Sequence, residues 1–60
     1  MSTYRLYCLD GAGKVASAEW IEANDDEAAS RIADELRDGR LCELWQNHRF
    51  VARLGVVDDR

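Results

Sequence analysis

Residues 24–39, NDDEAASRIADELRDG, form the only stretch of this chain whose apolar side chains recur with the period of an α-helix. The period is that of a helix with one buried stripe and one charged side. The stripe is predicted to contain Ala28, Ala29, Ile32, Ala33 and Leu36. A short helix of this kind buries its stripe against a sheet, so the rest of the chain has to supply one.

Both ends of the predicted helix carry end signals. Asn24 can accept a hydrogen bond from the free backbone N–H groups of the first turn, and Glu27, three residues on, completes a capping box. Gly39 can adopt the left-handed conformation that closes a helix. We therefore expect the helix to begin at Asn24 and to end at Gly39.

The remaining sequence is typical of strands joined in two hairpins. Alternating and β-branched residues flank two turn signals, one at Asp10-Gly11-Ala12-Gly13-Lys14 and one at Asn47-His48. The predicted strands cover residues 3–9, 14–22, 40–46 and 49–54. Because the helix reverses the chain once between the hairpins, we expect a single α+β domain over residues 1–60 with ββαββ order. Its antiparallel sheet has strand order 2-1-3-4, its second strand lies at an edge, and one helix packs on one face.

The turn chemistry predicts a register for the first hairpin. If Gly13 takes the left-handed position of a three-residue loop, Asp10 faces Lys14 and Arg5 faces Glu19. A four-residue loop would shift every pair by one residue.

In the second hairpin, a turn centred on Asn47-His48 predicts four pairs. Asn47 tolerates a positive φ at this turn. The expected pairs are Trp45–Phe50, Glu43–Ala52, Leu41–Leu54 and Leu44–Val51.

Both faces of the predicted sheet are apolar, although one helix covers only one of them. One face receives Tyr4, Leu6, Cys8, Cys42, Leu44 and Val51. The other receives Tyr7, Leu9, Val15, Leu41, Trp45, Phe50 and Leu54. We assign the helix to the first set, because the charged residues Arg5, Glu19 and Glu43 share the parity of the second. The second set then forms an open face.

A large exposed apolar face usually marks an interface. The predicted interface residues are Tyr7, Leu9, Leu41, Glu43, Trp45, Phe50 and Leu54. We expect a non-enzymatic interaction module that forms a homodimer or binds another protein through this face. Two alternatives are single-stranded nucleic-acid binding on the aromatic side chains and a small regulatory subunit of a larger complex. A third alternative is that long side chains and the chain end, which is expected to fray, close the face.

No arrangement of polar residues predicts catalysis, a cofactor or a metal site. His48 lies at a turn without a positioned partner, and Asp25-Asp26-Glu27 serves the helix cap and lacks the calcium-loop pattern. The glycines before Lys14 lack the spacing of a phosphate-binding loop. Cys8 and Cys42 share one face of neighbouring strands, and we expect two buried, reduced thiols.

Size and charge narrow the choice of partners. A chain of 60 residues buries only about 60% of its unfolded surface, so self-association is a plausible source of stability. The net charge of -4 argues against binding to nucleic-acid phosphates or anionic membranes. We find no leader pattern and no apolar run long enough to cross a bilayer, and therefore expect a cytoplasmic protein.

The framework YRLYCLD, a glycine turn, WIEANDDEAA and CELWQNHRFVARL resembles that of a group of short bacterial proteins, found mainly in α-proteobacteria. The resemblance covers nearly the whole chain. It implies the ββαββ fold, and it implies no activity, cofactor or catalytic residue, because that group is of unknown function.

Overall fold

The computed structural model describes residues 1–55 and has the element order ββαββ. The elements are β1 (Ser2–Leu9), β2 (Val15–Ala23), α1 (Asp26–Leu36), β3 (Cys42–Gln46) and β4 (Arg49–Leu54). The strands form one antiparallel sheet in the order β2-β1-β3-β4, which confirms the predicted fold and topology. The fraying expected at the chain end falls on residues 56–60, which lie outside the described residues.

The N-terminal cap of α1 is Asp25, so the prediction of Asn24 is wrong by one residue. Asp25 has extended backbone angles, and its carboxylate accepts from the Ala28 N–H at 2.8 Å. A carboxylate at this position also carries the negative charge that a helix N-terminus favours, which an asparagine lacks. At the other end the helix stops at Leu36, and Gly39 takes the predicted left-handed conformation with φ +78°.

The buried stripe of α1 is narrower than predicted. Ala29 and Ala33 are fully buried, whereas Ile32 and Leu36 are 37% and 44% exposed. The two alanines face side chains that already fill the space over the sheet, among them Tyr4 and Leu6. Small residues fit this position, and the larger Ile32 and Leu36 lie at the side of the helix. The prediction that they belong to the core is wrong.

The helix covers the predicted face of the sheet. Five members of the predicted set are buried and the sixth, Val51, packs against them; the five are Tyr4, Leu6, Cys8, Cys42 and Leu44. Two residues of β2, Ile21 and Ala23, join this core. Both enter it because of the register of the first hairpin.

The first hairpin has the predicted loop and a bulge that the prediction omitted. Gly13 has φ +83°, and the Asp10 N–H donates to the Lys14 carbonyl at 2.8 Å, as expected. A register shift beside Cys8 and Leu9 then inserts an extra residue in β2. Arg5 consequently lies opposite Trp20, and the predicted Arg5–Glu19 pair is wrong.

The second hairpin shows the same combination of a correct turn and a shifted strand. Asn47 has φ +56°, and Trp45 pairs with Phe50 as predicted. Between Leu44 and Trp45 the register shifts by one residue. The remaining observed pairs are Leu44–Ala52, Glu43–Arg53 and Cys42–Leu54, which replace the predicted Leu44–Val51, Glu43–Ala52 and Leu41–Leu54.

Candidate functional site: the open face of the sheet

The candidate site is the face of the sheet opposite α1, called the open face below. Because side chains alternate along each strand, the neighbours of the buried core residues point to this side. The ladder registers arrange them in two rows across all four strands. The aromatic row is Trp20, Arg5, Trp45 and Phe50, and the mixed row is Ala18, Tyr7, Glu43 and Arg53.

The aromatic row exposes large rings. Trp20 is 69% exposed and Phe50 is 47% exposed, although both lie on strands of an ordered sheet. Trp45 is half-buried, and its ring meets that of Phe50 edge to face with 5.4 Å between the ring centroids. Aromatic rings in this arrangement gain energy beyond the area they bury. They form a preorganised apolar surface.

Arg5 lies in the centre of the aromatic row with its guanidinium stacked on Trp20. The guanidinium carbon is 4.0 Å from the centroid of the Trp20 ring and 5.8 Å from that of Tyr7. These distances are those of a cation–π interaction. The Nε–H of Arg5 is buried and has no hydrogen-bond partner among residues 1–55. Among residues 1–55, Arg5 therefore contacts aromatic rings and forms no ion pair.

Glu43 in the mixed row is held by its neighbours on both sides. Its Oε1 accepts from the Trp45 indole Nε1–H at 3.2 Å, and its Oε2 lies 3.2 Å from an Arg53 guanidinium nitrogen. The first bond fixes the orientation of the Trp45 ring. An exposed ion pair such as Glu43–Arg53 contributes little free energy, so its main effect is to position the two charges.

The structure brings most of the predicted interface residues to the open face. Tyr7, Leu9, Glu43 and Trp45 are half-buried, and Leu41 and Phe50 are exposed. Leu54 is a correction: the bulge in the second hairpin places it opposite Cys42, and it packs against the core under the helix. A one-residue shift moves every following side chain to the other face.

The predicted interface omitted four residues of the two rows: Trp20, Arg5, Ala18 and Arg53. Trp20 could have been noticed in the sequence. The predicted edge strand has few other large residues, so the face that receives this tryptophan gains a large apolar surface. The predicted register paired Glu43 with Ala52, and the missed bulge puts Arg53 opposite Glu43 on the open face instead. Arg5 was placed on the correct face, but its contact with Trp20 depends on the bulge in β2.

Cys8 and Cys42 are joined in a disulfide bond, which corrects the prediction of two reduced thiols. They are directly opposite each other on β1 and β3, and both are fully buried. The sequence showed that they share one face of neighbouring strands, but alternation alone cannot show that two residues are directly paired. The bond links the two central strands beneath the helix.

A second polar cluster lies on the helix side and joins α1 to the second hairpin. The Arg49 guanidinium binds both carboxylate oxygens of Asp26 at 2.9 and 3.0 Å, and the Tyr4 hydroxyl donates to Asp26 at 2.8 Å. The hydrogen bonds from Arg49 and Tyr4 lower the pKa of Asp26 to about 2. Burial and the bond to Asp26 raise the pKa of Tyr4. These three side chains form one contact, called the clamp below, that holds α1 against the sheet.

Other chemistry is sparse in the part of the chain that the structure covers. His48 is exposed at the turn before β4. Within residues 1–55 no group of His, Cys, Asp or Glu is arranged to hold a metal ion, and the same residues enclose no pocket. The one helix of this segment is too short and too polar to span a membrane.

Comparison with protein-family models, with curated proteins and with solved structures finds no match to this chain.

Proposed function

We propose that this protein is a non-enzymatic interaction module that forms a homodimer through the open face. The observation that carries the proposal is the aromatic row. Trp20, Trp45 and Phe50 lie in one row on a face that α1 leaves uncovered, with Arg5 between the two tryptophans, and Trp20 is 69% exposed. Exposed rings of this size on one face are costly in water and are typical of interface anchors.

The charges of the open face favour a second copy of the same chain. Arg5 and Arg53 contribute positive charge, while Glu43 in the mixed row and Glu22, which pairs with Thr3 beyond the aromatic row, contribute negative charge. The face is therefore neutral overall although the chain carries -4. A neutral face with both signs can pack against itself without net repulsion.

The size of the face sets the expected strength of the dimer. Four strands about 4.8 Å apart and about six residues at about 3.3 Å each give roughly 400 Å² in projection. Stable interfaces usually bury about 800 Å² on each partner. We therefore expect a dimer of micromolar affinity whose energy is concentrated in the tryptophans.

The test measures molecular mass against protein concentration by sedimentation for wild type and for two tryptophan variants. Wild type should shift from monomer to dimer over about 1 to 100 µM, the range of a micromolar complex. Trp20→Glu should remain monomeric with an unchanged far-UV spectrum, because Trp20 is exposed in the monomer. Trp45→Glu should remain monomeric or lose structure, because a buried unpaired carboxylate costs several kcal/mol.

The control is Arg31→Glu, which changes an exposed residue of α1 on the opposite side of the molecule. It should leave the dimer intact. A wild-type chain that stays monomeric throughout the concentration range, or a Trp20→Glu variant that dimerises like wild type, would contradict the proposal.

A second candidate function is the binding of single-stranded nucleic acid on the same face. The observation that favours it is Arg5 among three aromatic rings, since bases stack on such rings and on guanidinium groups. The chain charge of -4 opposes it. Quenching of tryptophan emission by a single-stranded oligonucleotide that weakens steeply with salt would support this function, and no quenching at low salt would exclude it.

We also propose that the protein is cytoplasmic, a location that the redox state of the cysteine pair tests. Disulfide bonds are rare in the reducing cytosol, so the bond between Cys8 and Cys42 counts against this location, and the fraction of the bond present in cells tests it. Acid trapping of cells followed by alkylation measures this directly. A bond that is fully formed in the trapped sample would contradict a cytoplasmic location.

A further inference from the structure

The two rows of the open face define how two copies can face each other. We infer that the two-fold axis of the dimer runs parallel to the strands, between β1 and β3, and that Arg5 of each copy lies over the partner's Trp45. This inference rests on the homodimer proposed above. It assigns Arg5 the role of the charged specificity residue of the interface.

Symmetry restricts the contacts that an aligned pair of sheets can make. A two-fold axis parallel to the strands exchanges β1 with β3 and β2 with β4 across the interface. The aromatic row then packs on the partner's aromatic row: Trp20 meets the partner's Phe50, and Arg5 meets the partner's Trp45. Stacked sheets lie about 10 Å apart and within about 30° of parallel, so each residue contacts this partner and its neighbours.

The same axis places opposite charges near each other. In the mixed row, Tyr7 meets the partner's Glu43, which brings that carboxylate beside Arg5, two residues away on β1. Arg5 forms no ion pair with another residue of 1–55, so its charge is unpaired within the described part of the monomer. The partner's Glu43 then faces the accessible end of the Arg5 guanidinium, where the two opposite charges attract each other. Leu9 at the end of β1 meets the partner's Leu41, so the apolar end of the face also packs on itself.

An axis that runs across the strands makes poorer contacts. Placed on the aromatic row, it sets Arg5 against the partner's Arg5, and like charges in a buried interface repel each other and disfavour that pairing. Placed between the two rows, it sets the exposed Val15 against the partner's Glu22 and Leu9 against the partner's Thr3. Apolar residues then face polar ones along one edge.

The experiment uses two exposed positions at opposite edges of the mixed row. Ala18 on β2 and Arg53 on β4 are separated within one molecule by three strand spacings, about 14 Å. The proposed axis brings Ala18 of one copy over Arg53 of the other. We would prepare Ala18→Cys and Arg53→Cys in the full chain, with Cys8 and Cys42 kept as their disulfide, and treat them with a short bis-maleimide.

The expected result is a covalent dimer from the equimolar mixture and none from either variant alone. If Ala18→Cys cross-links to itself, the axis crosses the strands and the inference is wrong, while the homodimer through the open face stands. If wild type dimerises but no sample cross-links, the axis is not the inferred one and the inference is wrong, while the homodimer through the open face is judged by the Trp20→Glu variant. A wild-type chain that is monomeric by sedimentation overturns both.

The cross-linking variant Arg53→Cys could itself weaken the dimer. A second measurement therefore tests the role of Arg5 without changing Arg53. Arg5→Gln should raise the dimer dissociation constant at least about tenfold, because it removes a charge in the centre of the interface. Arg31→Gln, on the exposed side of α1, is the matched control and should leave the constant unchanged. Equal constants for Arg5→Gln and wild type would show that Arg5 does not determine the interface.

Discussion

Cys8 and Cys42 are directly opposite each other on the two central strands and are joined by a disulfide bond under the helix. The bond closes a loop between positions 34 residues apart in sequence. A cross-link over that separation restricts the unfolded chain, and for a loop of this size the chain-entropy estimate is about 4 kcal/mol. In a domain whose total stability is of the order of 5 to 10 kcal/mol, that is a large fraction.

Reduction of this bond should therefore lower the free energy of unfolding by about 4 kcal/mol, measured as the denaturant midpoint with and without reductant. The double variant Cys8→Ala, Cys42→Ala is the control, and its midpoint should not respond to reductant. Alkylation of the unreduced, denatured protein should modify no cysteine. Modification of both would show that the purified protein contains two thiols.

The core prediction compares two leucines of unequal burial. Leu6 is fully buried beneath α1, whereas Leu36 at the end of α1 is 44% exposed. Leu6→Ala should lower the free energy of unfolding by about 3 to 5 kcal/mol, as in buried leucines generally. Leu36→Ala should cost only about 1 kcal/mol, because little apolar area is lost. Equal losses in chemical unfolding would contradict the observed difference in burial between Leu6 and Leu36.

Acid should weaken the clamp between α1 and the second hairpin. The pKa of Asp26 is about 2 in the folded protein, below its ordinary value of 3.8. A lowered folded pKa contributes stability above pH 3.8, and this contribution is lost as the pH falls from about 4 through 2. The melting temperature should fall over this range, and the fall should be smaller in Asp26→Asn.

Glu35→Gln is the control for the acid experiment, because Glu35 is exposed on α1 and forms no ion pair with another described residue. Its melting curve should follow that of wild type from pH 4 to pH 2. An Asp26→Asn variant whose melting temperature falls as much as that of wild type would show that Arg49 and Tyr4 do not lower the pKa of Asp26.

Two glycines with similar backbone angles should respond differently to alanine. Gly39 has φ +78° and open space around it, so Gly39→Ala should cost about 1 kcal/mol from the left-handed conformation alone. At Gly55, with φ +82°, an added Cβ would lie 2.5 Å from the Arg40 carbonyl oxygen. Gly55→Ala should cost about 2 to 3 kcal/mol, because the backbone has to move as well.

Gly11→Ala is the reference for the glycine pair, since Gly11 has neither a positive φ nor a close neighbour. Its unfolding midpoint should equal that of wild type within about 0.5 kcal/mol. If Gly39→Ala and Gly55→Ala are equally destabilising, the contact of Gly55 with Arg40 is not a constraint on the fold.

The amino-acid sequence by itself determined the element types, their order and the topology of the sheet. Periodicity identified α1 between Asn24 and Gly39, and turn residues such as Gly13 and Asn47 identified the hairpins. These signals are local, because they depend on backbone preferences and on the spacing of residues close in sequence. The parity of β1 and β3 also sufficed to predict which face the helix covers.

Only the tertiary structure decided the registers of the outer strands, which side chains of α1 are buried, and the pairing of the cysteines. Each hairpin contains a bulge of one inserted residue. The bulge in the first hairpin places Trp20 opposite Arg5, and the bulge in the second places Leu54 on the helix side of the sheet. Whether a strand forms a bulge, and therefore which register it takes, depends on how whole side chains fill the space between α1 and the sheet. That space is set by residues distant in sequence, such as Tyr4 and Ala33, so no local pattern encodes it.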